Sequence, residues 1–305
     1  LDFDELGIND VVELLDKNTN MEAVLRDFGD RNQKEDPVMH FFEGFLKEYD
    51  PKRKNERGVF YTPHPIVSFI VRSVDEELRN KFHLEDGLAD ISTWGEVKSK
   101  VPYLEIPEDV SSDDVFIQIL DPATGTGTFL VEVIDLIYNT MIDKWKLEGL
   151  KQDEINSLWN EYVTEYLLPR VYGYELMMAP YAITHMKIGL KLYETGYKFA
   201  SPDRARIYLT NSLEPSQDSL GTFDFAIPSL AHEARQVNEV KKAMLFTVIL
   251  GNPPYSGRSW NLTPQLKKIV EPYHYIDGVK IKEKGALQLQ KSIQEDYIKF
   301  LRNAE

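Results

Sequence analysis

The segment Asn252-Pro253-Pro254-Tyr255 follows a short apolar run, Phe246 to Leu250, and joins an amide, a rigid carbonyl and an aromatic ring within four residues. The Asn252 side-chain oxygen and the Pro253 carbonyl could accept the two N–H bonds of a planar amine such as the exocyclic amine of adenine. That amine is a poor nucleophile because its lone pair is delocalised into the ring, and two acceptors would favour a pyramidal nitrogen with an available lone pair. Two successive prolines stiffen the backbone around the acceptors. Tyr255 could stack on a base rotated out of a duplex, a contact worth ~1 to 3 kcal/mol. The plainer alternative is a proline-rich strand exit.

A second candidate is Asp121-Pro-Ala-Thr-Gly-Thr-Gly-Thr-Phe129, between a predicted strand and a predicted helix. Gly125 and Gly127 allow a tight turn and a close approach of backbone to ligand, while the helix opening near Thr128 directs free N–H groups at it. It is not a phosphate loop, because no Gly-Lys-Ser/Thr follows. Nor is it the dinucleotide fingerprint, because Leu130 stands where the third glycine would be. Glu175, at the end of Tyr-Gly-Tyr-Glu, could accept hydrogen bonds from two ribose hydroxyls. Its distance from the loop exceeds the ~20 residues of the dinucleotide pattern, so a helical insertion is expected between them. Asn211, after the run Ile207 to Leu209, could read an adenine edge. Taken singly, Glu175 reads as a surface carboxylate and Asn211 as a turn residue.

The elements that must position these residues follow from periodicity. Short runs at Val115–Leu120, Arg170–Tyr174, Ala205–Leu209 and Phe246–Leu250 alternate with helical stretches, notably Thr128–Trp145 and Met178–Tyr193. That alternation predicts an α/β fold with a largely parallel, doubly wound sheet. Residues 1–50 read as a helical leader and 51–305 as the domain carrying the site, with an irregular insertion at about 83–114. Thr62 and Pro63 open an amphipathic helix within the segment Gly58 to Val74.

The 305 residues, 42% hydrophobic and 11% aromatic, suffice for a full core. No apolar run approaches the ~20 residues of a membrane span and no leader pattern opens the chain, so a cytoplasmic protein with no membrane partner is expected. Absence of cysteine removes disulfides, thiolate metal sites and the nucleophile that carbon-5 methylation of cytosine needs. No metal is required by the chemistry above. A net charge of −15 argues against a general nucleic-acid coat, leaving local basic patches: Lys52, Arg53, Lys54 and Arg57; Arg235, Lys241 and Lys242; Lys280, Lys282 and Lys284. Such runs are more commonly solvated faces.

The glycine segment followed by Asn-Pro-Pro-Tyr on successive strand ends resembles the class I S-adenosylmethionine-dependent methyltransferases with a Rossmann-like sheet, and among them the gamma-class N6-adenine DNA methyltransferases. DPVMHFFEGFLKEYDPK, RGVFYTPHPIVSFIVRSVDEEL, VILGNPPYSG and DYIKFLRNAE resemble the methyltransferase portion of prokaryotic type ISP restriction-modification enzymes. The resemblance implies S-adenosylmethionine as cofactor, with Tyr61 and Thr62 at its methionine end, Asp121, Pro122, Ala123, Gly125, Gly127 and Phe129 in the loop around it, Glu175 on the ribose and Asn211 on the adenine. Asn252, Pro253, Pro254 and Tyr255 would be catalytic. It implies double-stranded DNA as substrate, a sheet incomplete at its C-terminal end, and nuclease, translocase and target-recognition domains in a parent polypeptide. No Walker-type loop occurs here, so translocation would reside elsewhere. Methylation of a protein glutamine amide or of cytosine N4, and a cofactor-binding fragment inactive without its recognition domain, are the alternatives.

Overall fold

Parallel strands cannot be joined by a tight turn, so the chain must cross over between them, and the amphipathic helices supply the crossovers. The computed structural model describes residues 62–200, 203–215, 228–255, 259, 261, 263–282 and 293–304. The expected helical leader, Tyr61 and the basic residues Lys52, Arg53, Lys54, Arg57 and Lys284 lie outside these. Two compact units divide the chain, Leu1–Glu56 with Ser216–Lys242 and Arg57–Pro215 with Ala243–Glu305.

In the larger unit α1 (His64–Phe82) starts behind Pro63, buries Val67, Val71 and Leu78, and stops at His83, whose φ of 54° is left-handed. A 3-10 turn (Gly87–Ala89) and α2 (Trp94–Lys100) come next. Strand β1 (Ile119–Asp121) leads into α3 (Thr128–Leu147), which buries Phe129, Leu130, Val133, Ile134, Ile137, Met141, Ile142 and Trp145 along one broad stripe. Helix α4 (Gln152–Tyr162) continues through a π turn (Val163–Leu167) and one further helical turn into β2 (Val171–Glu175). These make up the helical insertion that the spacing between loop and Glu175 required. Helix α5 (Met178–Glu194) buries Pro180, Thr184, Ile188 and Leu192 at every fourth position and precedes β3 (Arg206–Leu209).

Helix α6 (Pro228–Ala243) belongs to the smaller unit but for its last residue. The larger unit resumes with β4 (Val248–Ile249), α7 (Pro264–Ile269), the short hairpin β5 (Tyr275–Ile276) and β6 (Val279–Lys280), and α8 (Asp296–Ala304). Within it four strands pair in the order β3-β2-β1-β4, all parallel. Asp121 is opposite Gly173, Glu175 opposite Leu209, and Leu120 opposite Ile249, so all four strands end at one edge.

Residues 83–114 run mostly without regular structure, yet Leu84, Leu88, Ala89, Trp94, Val97 and Val101 are buried in the same hydrophobic core as β1 and α3. Helix α2 is too short for its period to be read, yet Thr93 and Glu96 form a reciprocal capping box that the spacing Thr-x-x-Glu encodes. Arg170, 2% exposed, binds this segment to the start of β2 by donating to the Asp90 carbonyl at 2.5 Å and to the Tyr162 hydroxyl. The expected strands at 115–120 and 246–250 are also shorter, because Val115 bridges to Thr93 and only Val248 and Ile249 pair with β1. No helix among the described residues is long and apolar enough to cross a membrane.

Candidate functional site at the carboxyl edge of the sheet

The strand order places β1 between β2 on one side and β4 on the other, while the chain runs from β1 outward through β2 and β3 before returning to β4. The strand order therefore reverses at the β1–β4 pair, the position at which open parallel sheets commonly bind ligands beyond their carboxyl ends. The loop Asp121 to Phe129 leaves β1 there, and Asn252 to Tyr255 leaves β4 there.

The loop turns through two left-handed glycines, Gly125 at φ 57° and Gly127 at φ 79°. A Cβ on Gly127 would lie 2.9 Å from Thr184 Cγ2, so the position demands glycine for space as well as for conformation. Burial alternates along it: Thr124, Thr126, Gly127 and Phe129 face inward, whereas Pro122, Ala123, Gly125 and Thr128 keep part of their surface. Phe129 is 4% exposed and packs in the hydrophobic core.

Anchors from three directions hold this backbone. The Thr124 hydroxyl and N–H both donate to the Tyr174 carbonyl, at 2.9 and 3.0 Å. Thr184 Oγ1 on α5 donates to the Gly125 carbonyl at 3.0 Å, and Ser212 Oγ beyond β3 donates to the Pro122 carbonyl. Glu175, 7% exposed, accepts from the Gly125 N–H at 2.8 Å and from the Met177 N–H at 2.7 Å. Its carboxylate thus fixes the loop and is itself fixed in orientation at the strand end.

Asp121 is fully buried, with Oδ1 accepting from the Ala123 N–H at 3.0 Å and Oδ2 without a hydrogen-bond partner among the described residues. Burial, reinforced by the Glu175 charge and opposed by the Ala123 N–H, pushes its pKa up to about 7. Gly251 closes over it: a Cβ there would sit 2.5 Å from Asp121 Oδ1. The tips of β1 and β4 are therefore in direct contact, and only glycine at 251 permits it.

Beyond Gly251, Asn252 Nδ2 donates to Thr62 Oγ1 at 2.9 Å, joining the start of α1 to the tip of β4. Pro253 and Pro254 are half-buried, and Tyr255 is 49% exposed with one ring face stacked on Tyr297 at 4.7 Å between centroids. Asn211 closes a turn, accepting from the Leu213 N–H at 3.1 Å and donating to Asn261 Oδ1 at 2.7 Å. Among the described candidates, all but the inward Phe129 gather at one edge.

Sequence reasoning did not single out Thr124, Thr184, Ser212 or Gly251, all of which shape the site. Gly251, immediately before Asn252, carried the one available signal, a glycine at a strand exit. The threonines and Ser212 act through pairings set by the fold.

No family profile and no curated protein matches this chain. Among solved structures it is similar to the DrdV–DNA complex, with a TM-score of 0.54, 23% identity, and coverage of 87% of this chain and 20% of that one. A nuclease-deletion mutant of the type ISP restriction-modification enzyme LlaGI, in complex with a DNA substrate mimic, gives a TM-score of 0.57 at 20% identity over 98% of this chain and 21% of that one. The ATP-dependent type ISP restriction-modification enzyme LlaBIII bound to DNA gives 0.57 at 22% identity over 88% and 15%. At these identities the likeness is one of fold. The chain spans about a fifth or less of the length of each.

Proposed function

We propose that this chain carries the S-adenosylmethionine-binding and amino-methylating site of an N6-adenine DNA methyltransferase of class I fold. It would act as the modification part of a cytoplasmic prokaryotic restriction-modification enzyme whose nuclease, translocase and target-recognition parts are other domains. The observation that carries the reading is the contact between the tips of β1 and β4 at the point where strand order reverses. One tip is an anchored glycine loop and the other is Asn-Pro-Pro-Tyr, with Gly251 against Asp121.

The residues suit the cofactor in chemistry and in space. Asp121 Oδ2 is a buried acceptor without a partner among the described residues, a kind of group that proteins retain where a ligand or ion completes it. Gly125, Pro122 and Ala123 offer a backbone surface that a ligand can approach closely, and Glu175 is a carboxylate of fixed orientation suited to a pair of hydroxyls. These residues would hold S-adenosylmethionine, which when bound supplies an activated methyl group. Thr62 would act on the other side of the site, through Asn252.

Asn252 and Pro253 would act on the nucleophile. The Asn252 amide is held from its Nδ2 side by Thr62, and its side-chain oxygen would accept one amine N–H. The Pro253 carbonyl takes the second N–H, and the prolines keep both acceptors in register. Tyr255 offers half of its surface for stacking on a base rotated out of the duplex. The protein's contribution is positioning of a neutral amine, with no covalent intermediate on the chain.

Titration calorimetry with S-adenosylmethionine and transfer of labelled methyl to DNA from a host lacking adenine methylation test this. Asn252→Ala is expected to keep cofactor affinity within about twofold while lowering transfer by about 100-fold or more. Nucleoside analysis should recover N6-methyldeoxyadenosine. Absence of cofactor binding by the unaltered chain refutes the reading, and N4-methyldeoxycytidine or methylglutamine as product replaces it.

A further inference from the structure

The helix α8 lies against the segment that follows Asn-Pro-Pro-Tyr. Lys299, fully buried, donates to Ser259 Oγ at 2.5 Å and to the Asn261 carbonyl at 2.6 Å, with Asp296 Oδ1 at 3.7 Å. Asp296, 5% exposed, accepts from Ser259 Oγ at 2.6 Å. These side chains are three residues apart on a helix and so share a face. Tyr297 projects about 100° round the helix from Asp296 and stacks on Tyr255, the two rings 26° from parallel. The first turn of α8 therefore holds Tyr255 by a ring stack, and Ser259 and Asn261 by a buried ammonium and carboxylate. Asn261 also accepts from Asn211, which ties the same segment to the end of β3.

An aromatic ring held on one side chain alone turns about two torsions, and a base stacking on it would have to order it. Ring stacking on Tyr297 together with a pinned downstream loop removes that freedom beforehand. We propose that α8 is a clamp that sets the ring plane of Tyr255: Tyr297 occupies one face, Lys299 and Asp296 secure the loop at Ser259 and Asn261, and the opposite face is left as the stacking surface for the base. Tyr297 is then a positioning residue that acts through Tyr255. This rests on the reading of Asn252 to Tyr255 as the site that receives the base.

Two measurements on the full chain test it. With 3-fluorotyrosine at position 255, fluorine NMR should show one sharp resonance that shifts and broadens in Tyr297→Leu and is restored in Tyr297→Phe, which keeps the ring. An unchanged resonance in Tyr297→Leu overturns the clamp. In methyl transfer to unmethylated genomic DNA, Tyr297→Leu should lower kcat by about 10- to 100-fold with KM for DNA and affinity for S-adenosylmethionine within about twofold, and Tyr297→Phe should stay within about threefold of the unaltered chain. Unimpaired kcat in Tyr297→Leu, or a parallel fall in cofactor affinity, overturns the positioning role. If the unaltered chain binds no cofactor and transfers no methyl, the functional reading fails and takes the catalytic half of the inference with it, while the fluorine spectra still decide the clamp.

Discussion

Replacing Asp121 by asparagine should stabilise the ligand-free protein, and by an amount that depends on pH. In the folded chain the carboxyl is buried, with no hydrogen-bond partner for Oδ2 among the described residues, and its pKa rises from 3.8 to about 7. Below pH 3.8 both folded and unfolded chains hold the proton, and an unpartnered hydroxyl and an unpartnered amide cost much the same, so the two proteins should be equally stable. Between pH 3.8 and about 7 the unfolded chain releases its proton while the folded chain keeps it, and native Asp121 loses about 1.4 kcal/mol of stability per pH unit. Above pH 7 the loss is complete at about 4 kcal/mol, an upper figure, and the curves run parallel again. The asparagine side chain in the Asp121→Asn variant keeps the acceptor for the Ala123 N–H and carries no charge. Trp94, Trp145 and Trp159 are all buried in the unit that contains the sheet, so tryptophan fluorescence in urea reports on it. Urea midpoints for both proteins from pH 4 to pH 8 should diverge steadily and then stay apart. Midpoints that differ by the same amount at pH 4 and pH 8 would refute the argument that a buried, unpaired carboxylate is the destabilising group.

Gly127→Ala should cost ~1 to 2 kcal/mol for the left-handed backbone and a further increment for the contact with Thr184. Gly149→Ala, at φ 83° with nothing within 4 Å, carries the backbone strain alone, so equal losses of thermal stability in the two variants would show that the crowding is absent. Glu175→Gln replaces one of the two acceptors serving Gly125 and Met177 with a donor, which should lower the urea midpoint and weaken S-adenosylmethionine binding by ~1.5 to 3 kcal/mol in calorimetry. The same change removes the charge that adds to the raised pKa of Asp121, so the pH range over which stability falls should contract from its upper end.

Much of the architecture was legible because it rests on local rules. The long helices Thr128–Leu147 and Met178–Glu194 repeat their apolar residues at helical spacing over many turns, and their bounds were read to within two residues. The strands β2 and β3 were read to within one residue, since β-rich runs between turn signals are hard to mistake. Strand β4 was overestimated because an apolar run does not reveal how many of its residues find a partner. The share of 83–114 in the core is illegible for a related reason: its buried residues are scattered among short turns and a seven-residue helix, and only packing against α3 and β1 gives them a common side.

The sequence by itself determined the chemistry available at the site, through the glycine loop, the carboxylates Asp121 and Glu175, and Asn-Pro-Pro-Tyr. It also determined the alternation of strand and helix that forces a parallel sheet. Tertiary structure decided how those groups meet. The return of β4 to the side of β1 brings Gly251 onto Asp121, although 130 residues separate them. Packing also joins Thr62 to Asn252, turns Phe129 into the core, ties Asn211 to Asn261, and sets Tyr297 behind Tyr255. Periodicity and capping act over a few residues and can be read along a chain. Contacts between strand tips depend on strand order and register, which follow from burying every apolar face at once.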